Sequence, residues 1–219
     1  MREFCVSVCG VLLLGVAFLF PVPAVADGQD VRLSKAWEAY NIGHYKETIE
    51  LLGPLAVDGN PTAQTLLGRC YESGLGVAQD LEKAVEWYRL AAEQNDAQGQ
   101  ILLAYCYEQG LGVAKDTDKT RELMLKAAES GHPEAQFNCA LYASKGLYGV
   151  AKDPVQSFTY AKRAADQGYA QAERYVGACY EYGVGTEMNQ ELAETWYAKA
   201  KAKGLEKEGN IFKTVHSLP

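Results

Sequence analysis

Histidine is scarce, with three in 219 residues, and none of His44, His132 or His216 sits in a metal-binding pattern. No H-E-x-x-H, C-x-x-C or glycine-rich phosphate loop occurs. The usual signatures of a zinc hydrolase, a dithiol oxidoreductase and a nucleotide binder are therefore missing, and no cofactor or metal is expected. Basic clusters are lacking too. Against 28 Asp and Glu stand 21 Lys and Arg, a formal net charge of −7. That balance argues against nucleic acid or an anionic membrane as partner. After the first 26 residues no apolar run approaches the roughly 20 residues of a membrane span, so none is expected in the mature chain.

The chain opens with an export signal by pattern. Arg2 is a short basic start, Val11 to Phe20 is apolar, and Ala24-Val25-Ala26 is an A-x-A cleavage site. Residues 1–26 are expected to be a signal peptide cut after Ala26; the alternative is a retained anchor. The mature chain is expected to be periplasmic or secreted. Residues 27–32 read as a disordered leader.

What is abundant is repetition. The stretch AQTLLGRCYESGLGVAQDLEKAVEWYRLAAEQND from Ala63 returns 36 residues later from Gly99, and again from Ala135 and Ala172. A period of this length means a helical solenoid, because one helix pair cannot bury its apolar faces alone. Ala63, Leu67 and Tyr71 mark one face of a first helix. Gly68, Ala104, Ala140 and Gly177 share a slot beside it where a small residue lets a partner helix approach. Gly74 and Gly110 are placed as C-caps, and Asp80 and Asp116 as N-caps of the second helices. Trp87 is expected to meet both its own first helix and the following repeat.

The repeat resembles the Sel-1-like family, relatives of tetratricopeptide repeats, whose pattern runs roughly A-x3-L-G-x2-Y-x2-G-x-G-V-x2-D-x3-A-x2-W-Y-x2-A-A-x2-G. Residues 63–95 match it best, with Asn95 in place of the last glycine. The expected fold is all-α, a right-handed superhelical solenoid of about ten helices in antiparallel pairs. Residues 27–60 read as a degenerate N-terminal capping repeat, with Pro54 kinking or shortening its second helix. Residues 61–205 form four repeats, and 206–219 a tail from which Ile211, Phe212 and Val215 pack back. The third repeat departs most, with Tyr148 inserted and Tyr160-Ala161 in place of Trp-Tyr. The resemblance implies adaptor or scaffold work on a concave face that binds a protein or peptide.

Export permits disulfides, and four cysteines follow the signal: Cys70, Cys106 and Cys179 in one slot, Cys139 in another. Some exported members of the family staple each helix pair with two cysteines. No second-helix cysteine exists here. Like slots in stacked repeats lie about 10 Å apart, beyond the roughly 7 Å limit of a disulfide. Free buried thiols are expected; a Cys106–Cys139 bridge is the alternative.

First helices line the concave side of tetratricopeptide-like arrays. By that resemblance Thr65, Arg69 and Glu72 face the groove, as do Ile101, Tyr105 and Glu108, then Phe137, Leu141 and Ser144, then Arg174, Ala178 and Glu181. The candidate partner-binding residues are Arg69, Ile101, Tyr105, Phe137, Leu141 and Arg174, apolar in the middle and charged at the ends. The alternative is tight curvature that buries them against each other. No catalytic residue is assigned. Two other functions stay open: a hydrolase of the cysteine-rich, β-lactamase-like kind ascribed to exported relatives, and a self-assembling structural protein.

Overall fold

A computed structural model describes residues 28–207 and residue 212. The predicted signal peptide, its cleavage site, Ile211 and Val215 lie outside the described residues. The described chain forms ten α-helices in five antiparallel pairs: α1 (Gly28–Asn41) with α2 (Tyr45–Val57), α3 (Pro61–Ser73) with α4 (Leu81–Glu93), and α5 (Ala97–Gln109) with α6 (Thr117–Glu129). Then come α7 (Pro133–Lys145) with α8 (Pro154–Asp166), and α9 (Ala170–Tyr182) with α10 (Gln190–Ala202). Each helix packs on its neighbours in sequence, and the core is a series of small clusters handed from pair to pair. The result is an all-α helical repeat solenoid.

Local chemistry sets the boundaries. Gly74, Gly110, Gly146 and Gly183 end the first helices in the left-handed conformation, where a Cβ is penalised. Asp80, Asp116, Asp153 and Asn189 accept a backbone N–H in the first turn of each second helix. Asn189 performs the aspartate's role unchanged, since capping needs only the side-chain oxygen. Asn95 takes the glycine's role at the repeat end with φ 63°, which asparagine tolerates better than most residues.

Three expectations need correction. Residues 28–32 are no leader but the first turns of α1. Pro54 lies within α2, which runs on to Val57, so it does not shorten the helix. Trp87 is half-buried and packs against a cluster that Leu66 and Leu67 of its own first helix share with Leu33, Leu52 and Leu55 of the preceding pair, so its second contact is with the preceding pair and not the following one. Its neighbour Tyr88 is the ring with no exposure at all.

A polar latch repeats along the stack. Gln64, Gln100 and Gln136 share one buried slot and donate to the carbonyls of Ala56, Ala92 and Ala128. Gln94 closes the first latch by donating to Gln64 Oε1 at 2.8 Å, and Gln167 closes the third on Gln136 at 2.8 Å. In the fourth repeat the amide pair becomes an ion pair, with Lys203 Nζ 2.7 Å from Glu173 Oε1. In the second, Ser130 stands where Gln is needed, and Gln100 Oε1 is buried without a partner.

Cys70, Cys139 and Cys179 are free, buried thiols, so no Cys106–Cys139 bridge forms. Cys106 is buried as well.

Candidate partner-binding face

The first-helix residues divide by slot. Arg69, Tyr105 and Leu141 occupy one slot on α3, α5 and α7, and each is half-exposed. Phe137 and Arg174 share another and are also half-exposed. Ile101, assigned to the groove from the sequence, is instead only 4% exposed and belongs to the core around Met124 and Cys139. Thr65 and Ala178 are buried likewise. The reason is the stacking: the first helices α3, α5, α7 and α9 each pack on the second helix of the preceding pair as well as on their own partner, so the covered arc is wider than one apolar stripe.

The third set of assigned positions turns the other way. Glu72 accepts from Tyr88 Oη and Glu181 from Tyr197 Oη, each at 2.7 Å. Glu108 accepts from Tyr148, the inserted residue of the third repeat. These acids face second helices and loops, not a groove. A charged residue in a helical pattern reads as solvated until its partner, 16 or 40 residues away, is known.

What remains exposed is a strip across successive first helices. Arg69 sits at one end of it. Its guanidinium acts on Tyr40 of α1 and on Glu134 of α7, in each case against the effect of burial. Burial pushes the Tyr40 hydroxyl up and Arg69 pulls it down. Burial also pushes the Glu134 carboxyl above its ordinary range, with Arg69 again opposing from two repeats away. Arg69 therefore acts on titratable groups of both α1 and α7. Phe137 stacks on Tyr169 with ring centres 5.7 Å apart and on Tyr175 at 5.8 Å. Tyr175 in turn holds Phe212 at 5.4 Å. Glu134, Tyr169 and Tyr175 were missed in the sequence because their slots hold unlike residues in the other repeats.

Among the described residues no group of three or more His, Cys, Asp or Glu side chains is placed to hold a metal ion. None of the described helices is long and apolar enough to cross a membrane. A small cleft of about 140 Å³ opens beside Leu125, Cys139, Tyr142 and Tyr160. Cys139, which lines it, stands where the other repeats carry Leu or Val. Burial pushes the Cys139 thiol up to about 12, which leaves it protonated and a poor nucleophile at neutral pH.

Comparison with known proteins agrees with this architecture. The Sel1 repeat model matches residues 61–96, 97–132, 133–169 and 170–205. A Sel1 repeat protein from Oxalobacter formigenes superposes with TM-score 0.77 at 28% identity, over 81% of this chain and 52% of that one. The protective antigen c5321 of uropathogenic Escherichia coli, which displays the same repeat fold, gives TM-score 0.68 at 31% identity, over 81% and 39%. Among curated proteins, chitin synthase regulatory factor 3 of Schizosaccharomyces pombe is 30% identical over 160 residues, which are 72% of this chain and 13% of that protein. Chitin synthase regulator SKT5 of Saccharomyces cerevisiae is 34% identical over 156 residues, 71% and 17%. The chain thus spans less than a fifth of the length of these two relatives. With the matched repeats covering most of its length, the chain belongs to the Sel1 repeat family.

Proposed function

We propose that the chain is an exported protein-interaction scaffold that holds a peptide or protein partner on its first-helix face. The observation that carries this reading is the half-exposed strip Arg69–Tyr105–Leu141, with Phe137 and Arg174 beside it, set on successive first helices. Such a surface binds by complementarity to an apolar centre with a charged margin and needs no covalent step. The regulator names of the fungal relatives point the same way, toward a non-catalytic adaptor. Export rests on the pattern of residues 1–26.

The test is capture from an extracellular or periplasmic extract by cross-linking, comparing the parent with a Tyr105→Ala, Leu141→Ala double variant. Neither residue is fully buried, so the double variant should fold, as read by circular dichroism. It should lose the captured protein, since truncating anchors of an interface costs about 2 kcal/mol or more. Undiminished capture by a folded double variant places the partner elsewhere.

A further inference from the structure

After α10, two described residues, Lys207 and Phe212, contact the last repeat. Lys207 Nζ lies 2.8 Å from Glu181 Oε1 and 4.8 Å from the centre of the Tyr197 ring. Phe212 meets Tyr175 edge-on at 5.4 Å and Tyr182 at 6.3 Å. Tyr182 takes the α9 slot that Ser73, Gln109 and Lys145 take in the other repeats, and those three are exposed or half-exposed. Tyr175 is the ring on which Phe137 also stacks. Phe212 therefore ends a run of rings, Phe137–Tyr175–Phe212, that begins on the candidate partner-binding face.

We infer that the fourth repeat carries a seat for an aromatic side chain preceded five residues earlier by a cationic one, and that the chain's own Lys207 and Phe212 side chains occupy it as tethered stand-ins for the partner's. The chemistry of the seat defines the occupant. Glu181, also bonded by Tyr197, offers a carboxylate with one oxygen for an incoming ammonium. Tyr175 and Tyr182, two turns apart on one helix, offer ring edges and faces to an aromatic at the spacings such pairs favour. A linker this short holds its occupant at an effective concentration in the millimolar range, so weak contacts suffice to keep the seat filled. A partner segment with a lysine or arginine five residues before a phenylalanine would have to displace it. This inference rests on the scaffold reading above but concerns a different part of the face.

The experiment uses the full chain and a fluorescein-labelled peptide with the sequence of residues 205–219, followed by anisotropy. Phe212→Ala should bind the peptide at least tenfold more tightly than the parent, because its own tail no longer competes. The same peptide with alanine for phenylalanine should bind neither protein, and Glu181→Gln combined with Phe212→Ala should weaken binding. Equal affinity for parent and variant, or no binding to Phe212→Ala, overturns the proposal. So does a fall in the denaturation midpoint of Phe212→Ala as large as that of a core truncation, which makes the ring part of the core. A parent that sediments as a dimer while Phe212→Ala is a monomer also overturns it, since the tail then fills a neighbour's seat. None of these results touches Tyr105 or Leu141, whose variant tests the scaffold reading separately.

Discussion

Gly68 and Tyr88 are fitted to each other: a Cβ built on Gly68 would lie 2.6 Å from Tyr88 Cε1 and 3.2 Å from the Ala84 carbonyl oxygen. Gly177 meets Tyr197 in the same way at 2.9 Å. Where the second helix carries Met124 or Ala161 in place of the tyrosine, the first helix carries Ala104 or Ala140. Glycine therefore appears only opposite tyrosine, and the close approach outweighs its poor helix propensity.

From this pairing, Gly68→Ala should destabilise the chain although alanine favours a helix by about 1 kcal/mol. The Tyr88 ring is fully buried and tied to Glu72, so it cannot swing away. Overpacking costs about 1–3 kcal/mol, and a net loss of about 1 kcal/mol is expected in urea denaturation. Adding Tyr88→Met, which copies the Ala104–Met124 pair, should recover part of it and give a favourable coupling in a double-mutant cycle. A single variant more stable than the parent would show that the ring yields.

The gap in the second latch predicts a stabilising change. Ser130→Gln places an amide where Gln94 and Gln167 stand in their repeats, within reach of the orphaned Gln100 Oε1. A new bond to a buried acceptor should contribute about 1 kcal/mol. An unchanged denaturation midpoint would mean that water already serves that oxygen.

His132 should make stability depend on pH. It opens α7 without a capping bond, where Asn60 and Asp96 cap their helices, and its Nδ1 is buried without a partner. Burial holds its pKa below the ordinary 6.5, with Asp96 acting in the opposite sense. Between the folded value and about 6.5 the unfolded chain binds more protons. The contribution of His132 is thus full above about pH 6.5 and falls as the pH drops toward the folded value. Glu134 works against this: its pKa is raised, so its protonation favours the fold on acidification. His132→Asn isolates the first effect. The difference in stability between parent and variant should widen below pH 6.5, on top of a gain of about 1 kcal/mol from the restored cap. A difference independent of pH would show that His132 titrates normally.

The thiols should be silent in the native state. Burial pushes Cys70 up to about 11 and Cys179 to about 12, beside Cys139 at about 12. Thiol-specific reagents at pH 8 should modify these three only after denaturation, and a reducing agent should leave the melting temperature unchanged. Rapid labelling of any of them in native protein would place it nearer the surface.

Much of the fold is legible because its rules are local. Gly74, Asp80 and their equivalents announce helix ends through the backbone conformation or hydrogen bond that each residue type favours, and the period of 36 repeats the announcement. Even Asn95 can be read as a substitute glycine. The binding face is harder, because exposure there depends on curvature, and curvature is a sum of contacts among several helices. Ile101 and Tyr105 look alike on a helical wheel, yet the next pair covers the first and leaves the second half-open. Phe212 lies in a segment without periodicity, where only the apolar character of the ring hints that it packs back.

The inserted Tyr148 separates one junction from the rest. In repeats one, two and four, the second loop glycine rests against the backbone that opens the preceding second helix: Gly76 on Tyr45, Gly112 on Leu81, Gly185 on Pro154. These contacts read backbone and are interchangeable. In the third repeat, Arg121 donates to the Tyr148 carbonyl at 2.6 Å while Tyr148 donates to Glu108, so both contacts reach side chains of the second repeat. Docked on the first repeat instead, the third would find Val85 in the place of Arg121, and Glu72 already engaged by Tyr88. A chain of near-identical modules is prone to fold out of frame, with one unit skipped and its neighbours stacked in the wrong order. A third repeat docked on the first would lack both bonds that Tyr148 makes, to Arg121 and to Glu108.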